Sequence, residues 1–252
     1  MIDLYGMSSP NVRKVLILLE ELALPYRLCH VDLFGSEPDA RLAALNPLGK
    51  VPVIVDADLA AGGQPIFESG AILIYLAERH GRFLPREGPA RYEVLQWLMV
   101  QMANIGPIFG QHNHFGLVRA KSHPGEDGYA TERYRALAAG LYAQLDDRLA
   151  VSPWLAGADY SIADMATWPW ALYLERHGFG WDDHPHLARW QETIAARPAV
   201  ARATAVFTPY QVIDRAGLEA APPAALDRFF GRVPPSRVRG GRPRVDAEPP
   251  PP

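Results

Sequence analysis

Residues 50–81 read KVPVIVDADLAAGGQPIFESGAILIYLAERHG. Two short apolar runs, 53–55 and 66–67, flank a turn region containing Gly62-Gly63. The second run leads directly into a helical pattern that opens at Ser69, ends at His80 and is closed by Gly81. This is a hairpin feeding a helix. Upstream, residues 2–5 read as a short buried strand, and 11–23 as a helix. In that helix Val12, Val15, Leu16, Leu19 and Leu22 recur at amphipathic spacing. Residues 26–32 read as a second strand, and 39–45 as a short helix ended by Asn46-Pro47. The order βαβαββα predicts an α/β unit over residues 1–80, a crossover followed by the hairpin and its helix.

Beyond Gly81 the pattern changes. Pro85, Gly88 and Pro89 mark a linker over 81–89, and every later pattern is helical. Helices are predicted over 90–104, with a break near Gly106-Pro107, over 129–149, over 162–177 with a kink at Pro169, and over 186–197 before Pro198. An all-α domain is thus expected at 90–207. Residues 208–252 form an extension that from about 231 is rich in proline and arginine and expected to be disordered.

The chain has 252 residues, enough for one large core or two small ones. With 48% hydrophobic and 21% charged residues it is not a disordered chain, a collagen or a membrane channel. A net charge of −3 supplies no strong field for nucleic acid or an anionic membrane, so neither is expected as a partner. The single cysteine, Cys29, excludes an intramolecular disulfide, a dithiol redox pair and a thiolate zinc site. It reads as a small core hydrophobe. Residues 1–7 lack the basic and apolar segments of a targeting peptide, and the apolar stretch 70–77 is too short to cross a bilayer. A cytoplasmic protein is expected.

Three strand-to-helix junctions carry chemistry. Ser8-Ser9-Pro10-Asn11 opens the first helix with hydroxyl and amide groups, where free N–H groups and the helix dipole favour a thiolate or another anion. Lys50-Val51-Pro52 precedes a strand, and a cis proline there leaves the preceding backbone free to pair with an extended peptide. Glu68-Ser69-Gly70 offers a hydroxyl and N–H groups to a carboxylate, and Glu68 an acceptor to an ammonium group. Each has a plainer reading: a serine cap with Pro10 in the first helical turn, a strand beginning after proline, and N-capping by Ser69. Together they suit a tripeptide with a free α-amino-acid end and a central thiol. Elsewhere, His112 and His114 lack a third ligand at metal-binding spacing and are expected to line an interdomain cleft, with no metal. Trp168 and Trp170 read as core. The tail arginines Arg232, Arg237, Arg239, Arg242 and Arg244 read as a solvated end.

On Lys50-Val51-Pro52, Glu68-Ser69-Gly70-Ala71-Ile72 and Ser161-Ile162-Ala163-Asp164, the chain resembles the glutathione transferases over roughly residues 1–205. The last of these motifs is a capping box, with Asp164 in place of the commoner Glu and with Tyr160 and Met165 placed as its hydrophobic staple. Several stretches look most like the Nu-class, Ure2p-like bacterial branch: Pro10-Asn11, Gly106-Pro107 to Gly110-Gln111, His114-Phe115, Glu132-Arg133-Tyr134 and Ser152-Pro153-Trp154-Leu155. The resemblance implies a thioredoxin-like domain followed by the helical one. It also implies glutathione as co-substrate, and glutathione-dependent disulfide reduction. The alternatives are conjugation to small electrophiles and a non-catalytic, glutathione-binding regulatory role.

By the same resemblance, Asn11 and Ser9, or Ser8, fall at the glutathione sulfur. Val51, followed by Pro52, pairs with the cysteinyl backbone. Glu68 and Ser69 hold the γ-glutamyl end, and Lys50 and Arg133 reach carboxylates. Met7 stands where several other classes carry a catalytic tyrosine, and Tyr5 lies nearby. Glu37 lies near the place of an expected glutamine. A homodimer is expected from the resemblance and from helix 90–104, whose Val94, Leu95, Trp97, Leu98, Val100 and Met102 exceed one intrachain apolar face.

Overall fold

The computed structural model describes residues 1–37, 39–59, 63–119 and 125–232. The N-terminal unit runs β1 (Ile2–Gly6), α1 (Pro10–Glu21), β2 (Tyr26–His30), α2 (Ala40–Leu45), β3 (Val53–Asp56), β4 (Pro65–Phe67) and α3 (Ser69–His80). The expected βαβαββα order is present. The sheet order is β2-β1-β3-β4, with β1 parallel to β2 and antiparallel to β3, and β3 antiparallel to β4. Leu4 pairs with Leu28 on one side and Ile54 on the other.

Strand periodicity divides the core. Ile2, Leu4 and Ile54 point to the face covered by α1 and α3. Val31, Leu42 and Val53 form a smaller cluster on the opposite face, where Tyr5 and Phe67 also pack. Gly81 ends α3 in the left-handed region (φ 62°), which it adopts without a Cβ penalty.

The helical part comprises α4 (Pro89–Val100), π1 (Gln101–Ile105), α5 (Gly106–His112), π2 (Asn113–Arg119), α6 (Gly128–Ala150), α7 (Ile162–Ala171), a 3₁₀ turn (Glu175–His177), α8 (Pro185–Ala195), α9 (Pro198–Ala220) and α10 (Pro223–Phe229). The break expected at Gly106-Pro107 does not occur. The wide π turn lets Gly106 N–H reach Gln101 O, and Pro107, in the first turn of α5, has no N–H to place. The helix predicted over 162–177 stops at Ala171. Beyond it Tyr173 and Leu174 tighten to three-residue spacing, donating to Trp170 O and Ala171 O. The capping box is formed: Ser161 Oγ accepts from Ala163 N–H (3.3 Å), and Asp164 Oδ2 accepts from Ser161 N–H (3.0 Å). Asp164 Oδ1 also accepts from Trp190 Nε1 and from Leu155 N–H, both at 2.9 Å.

Helix α9 runs unbroken through 207 to Ala220. It packs on α1, where Arg202 pairs with Glu20 (2.7 Å), and Arg197, at its N-cap, pairs with Glu21. Its far end returns to the first domain. Asp214 Oδ1 meets His30 Nε2 at 2.7 Å, and Asp214 Oδ2 accepts from Ser8 N–H at 2.5 Å. Phe229 of α10 packs on Phe34, and Arg228 donates to Gly35 O (2.7 Å). Helix α1 is therefore enclosed by the sheet and α3 on one side and by α7 and α9 on the other. Residues Val15 to Leu19 are all fully buried as a result. The tail expected to be disordered, with Arg237, Arg239, Arg242 and Arg244, lies outside the described residues beyond Arg232.

Candidate active site

A cleft of about 390 Å³ opens where the N-termini of α1 and α3 face π1, α5 and α7. Its walls include Asn11, Lys50, Val51, Pro52, Glu68 and Ser69, so the structure brings six of the expected residues together. The remaining three stand elsewhere. Ser9 Oγ accepts from Val12 N–H (3.3 Å) and caps α1, and Ser8 is held through its backbone by Asp214. Neither serine is among the lining residues. Arg133, expected at a carboxylate, stands on the exposed side of α6 with its guanidinium 5.5 Å from the Tyr134 ring, away from the cleft wall.

Each lining group has a structural reason for its orientation. Asn11 Oδ1 accepts from Trp170 Nε1 (3.1 Å). Indole N–H only donates, so this bond fixes the amide and leaves Asn11 Nδ2 as the free donor in the cleft. The 46–50 loop is organised by buried Asn46, whose Oδ1 accepts from Leu48 N–H and whose Nδ2 donates to Lys50 O (2.7 Å). The Val51–Pro52 bond is cis, and Val51 N–H and C=O have no hydrogen-bond partner among the described residues. Glu68, at the N-cap of α3, has φ 69° and makes no side-chain cap. Ser69 is the first helical residue and is 3% exposed, and its hydroxyl does not cap α3. It faces instead Lys14 Nζ (3.3 Å) and Met102 Sδ (3.7 Å).

The structure adds residues that the sequence reading did not place in the site: Lys14, Gln101, Met102, Gln111 and Trp170 line the same cleft. Lys14 is 1% exposed and donates to Gln101 Oε1 at 2.6 Å. Burial pulls its ammonium down to about 7, while the Glu68 carboxylate acts in the opposite direction. Gly106 lets the floor close tightly: a Cβ there would stand 3.1 Å from Gln101 Nε2, so the Gln101 amide would have to shift by a few tenths of an ångström.

The two histidines depart from expectation. His112 is buried inside the helical bundle, its ring centroid 4.7 Å from that of His177, because α5 turns this side toward α6 and the 3₁₀ turn. His114 packs on Phe115 and Phe230. Neither lines the Asn11 cleft. Tyr5 lies on the opposite sheet face, and Glu37 is exposed on the loop after β2.

Two family descriptions fit the chain: the glutathione S-transferase N-terminal domain over residues 8–79 and its C-terminal domain over 114–198. The disulfide-bond oxidoreductase YfcG of Escherichia coli (strain K12) is 44% identical over 206 residues, covering 81% of this chain and 94% of that protein. The chain belongs to the glutathione S-transferase family. Within it, the likeness extends to a Pseudomonas fluorescens pf-5 glutathione transferase family member solved with two glutathione bound. The identity is 40% and the TM-score 0.73, covering 80% of this chain and 91% of that one. The Phanerochaete chrysosporium transferase URE2P6, solved with oxidized glutathione, is 27% identical at TM-score 0.75, covering 83% of this chain and 97% of that one. Ure2p-like proteins are thus among the chain's structural neighbours, and it has a thioredoxin-like first domain and a helical second one.

Proposed function

We propose that the protein binds glutathione in this cleft, activates its thiol and uses it to reduce disulfides. One observation carries the reading: Trp170 holds Asn11 Oδ1, which leaves the amide N–H₂ to a cleft that Val51, its backbone unpaired among the described residues, and Ser69 also line. The cysteinyl part of the tripeptide pairs with Val51 as an added strand. The γ-glutamyl carboxylate takes Ser69 and the first N–H groups of α3, and its ammonium takes Glu68. Lys50, exposed at the rim, meets the glycyl carboxylate.

The sulfur then lies at the start of α1. A thiol of pKa about 8.5 is a few per cent ionised at neutral pH. The Asn11 amide and the α1 N-terminus favour the anion, and each 1.4 kcal/mol of such preference lowers the pKa by about one unit. The thiolate attacks one sulfur of a disulfide, forming a mixed disulfide and releasing a thiolate that takes a proton from water. A second glutathione thiolate attacks the glutathione sulfur of the mixed disulfide, giving glutathione disulfide and the second product thiol. The reaction oxidises two glutathione molecules for each disulfide reduced. The pf-5 relative solved with two glutathione and the oxidized glutathione in URE2P6 support this stoichiometry. So does the chain's single cysteine, which leaves the redox-active sulfur to the ligand.

The working assembly we propose is a homodimer in the cytoplasm. Tyr92 and Met99 of α4 are 65% and 47% exposed and are available to a second copy. Sedimentation at micromolar concentration tests this, and a monomer mass refutes it. The activity itself is tested by parallel rates with a small symmetrical disulfide and an aromatic halide electrophile, each with glutathione. The disulfide is expected to turn over faster, and conjugation outpacing it replaces this reading.

A further inference from the structure

The floor of the cleft has more donors than acceptors. The Lys14 ammonium, buried in α1, reaches Gln101 Oε1 at 2.6 Å, Ser69 Oγ at 3.3 Å and only the weakly accepting Met102 Sδ at 3.6 Å. Gln101 turns its oxygen to Lys14, and its buried Nε2 is left without an acceptor. No carboxylate is in hydrogen-bonding contact with this cation among the described residues. Glu68, exposed at the head of α3, is the charged group whose field reaches it. The other groups around it are neutral: Asn11 on α1, Gln101 and Met102 on π1, and Trp170 on α7. Arg13 turns its guanidinium the other way, onto Trp168 and Phe207, and Lys50 stands at the rim. A buried cation without a counter-ion and an orphaned amide N–H₂ call for an anion from outside.

We propose that Lys14 is the positioning residue of the cleft: its ammonium donates to Ser69 Oγ from below, turns the Ser69 hydroxyl proton outward to an incoming carboxylate, and is held protonated by that carboxylate. The direction follows from chemistry. An ammonium only donates, so Ser69 Oγ accepts from Lys14, and its own proton, which meets only the weakly accepting Met102 Sδ at 3.7 Å in the empty cleft, turns to the stronger carboxylate acceptor of the ligand. The ligand's negative charge, placed on the far side of Ser69, supplies the counter-charge the apo cleft lacks. Burial holds Lys14 near 7 in the empty cleft, so binding at neutral pH draws a proton from solvent. The inference rests on the reading of the cleft as a glutathione site, and adds to it a proton taken up with the ligand.

S-methylglutathione is the probe, because it has the carboxylates and ammonium of glutathione without a titrating thiol. Calorimetry near pH 7 in two buffers of different ionisation enthalpy reads the proton uptake. The wild type is expected to take up about half a proton per ligand, and its affinity to fall about tenfold from pH 7 to 8.5. Lys14→Met keeps length and apolar packing, and is expected to bind about tenfold more weakly at pH 6.5 with no uptake near pH 7. Lys14→Arg, charged throughout, is expected to restore affinity at pH 8.5. Binding by the wild type without proton uptake overturns the proposal. So does a Lys14→Met variant that keeps the wild-type uptake and pH profile. In either case the glutathione reading survives. A wild type that fails to bind the probe at any pH overturns both.

Discussion

Trp170 Nε1 donates to Asn11 Oδ1 at 3.1 Å, and that one bond decides which end of the Asn11 amide faces the cleft. A residue of the helical domain therefore sets the polarity of a group on the first helix. Asn11→Ala is expected to raise the pKa of bound glutathione and to slow disulfide reduction about tenfold or more near pH 7, with the loss narrowing at alkaline pH where the thiol ionises unaided. Trp170→Phe frees the amide to rotate and is expected to give a smaller loss with the same pH signature. Cys29→Ser is expected to leave turnover intact. The pH–rate profiles of the three variants are the check, and an inactive Cys29 variant beside an unaffected Asn11→Ala variant refutes the assignment.

Ser69→Ala removes the hydroxyl between Lys14 and the ligand carboxylate. A hydrogen bond to a charged group is worth about 1.5–3 kcal/mol, so glutathione affinity is expected to drop about tenfold to a hundredfold. Calorimetric titration of the folded variant measures it, and unchanged affinity removes Ser69 from the site.

Asp214 serves two partners in the first domain, the Ser8 N–H and the His30 ring. Asp214→Ala leaves a partly buried N–H without its acceptor and is expected to cost about 1–3 kcal/mol. The loop that carries Ser8 and Ser9 also loses its tether, so turnover is expected to fall with stability. Urea midpoints and steady-state rates on the same variant test both effects, and Asp214→Asn, which keeps an acceptor, is expected to fall between.

His177 is the acid-sensitive point of the helical domain. Its ring is buried against His112, Phe109 and Tyr173, with Tyr142 Oη 2.8 Å from Nδ1, and burial lowers its pKa to about 3. A depressed histidine means that the unfolded chain takes the proton first. Stability is therefore unaffected above about pH 6.5 and falls as the pH drops from there toward 3, by at most about 1.4 kcal/mol per unit. His177→Gln cannot titrate and is expected to have a flatter acid limb. Urea midpoints at a series of pH values decide, and parallel limbs for the two proteins refute the assignment.

Local pattern was enough for the first domain. Ser69–His80 is the helix its spacing predicts, Gly81 closes it, and the Ser161–Asp164 box forms as its residue types require. What was illegible depends on neighbours. Lys14 lies in a helix whose periodic apolar residues mark one face, which puts a lysine on the other, solvent side. It is buried because the head of α3 and π1 cover it through Ser69, Gln101 and Met102, a contact no local spacing encodes. Trp170 reads as core by size alone, yet its N–H is spent on Asn11, 159 residues away. The Ser69 cap failed similarly: Glu68 takes the cap position, and the hydroxyl is claimed by Lys14. In α9, the internal Pro209 and sparse apolar residues hid a helix that is stabilised by what it packs against.

The return of α9 and α10 to the first domain also fixes an order of events during synthesis. Asp214 lies 206 residues from the Ser8 N–H it receives, and Arg228 lies 193 residues from the Gly35 carbonyl it meets. At the usual ribosomal rate of about 5–20 residues per second, the α/β unit waits on the order of ten seconds or more for these contacts. During that interval the loop before α1 is untethered, and the half-finished chain shows the outer side of α1 to water. The end of α1 that carries Asn11 is therefore among the first parts to be made and among the last to be secured.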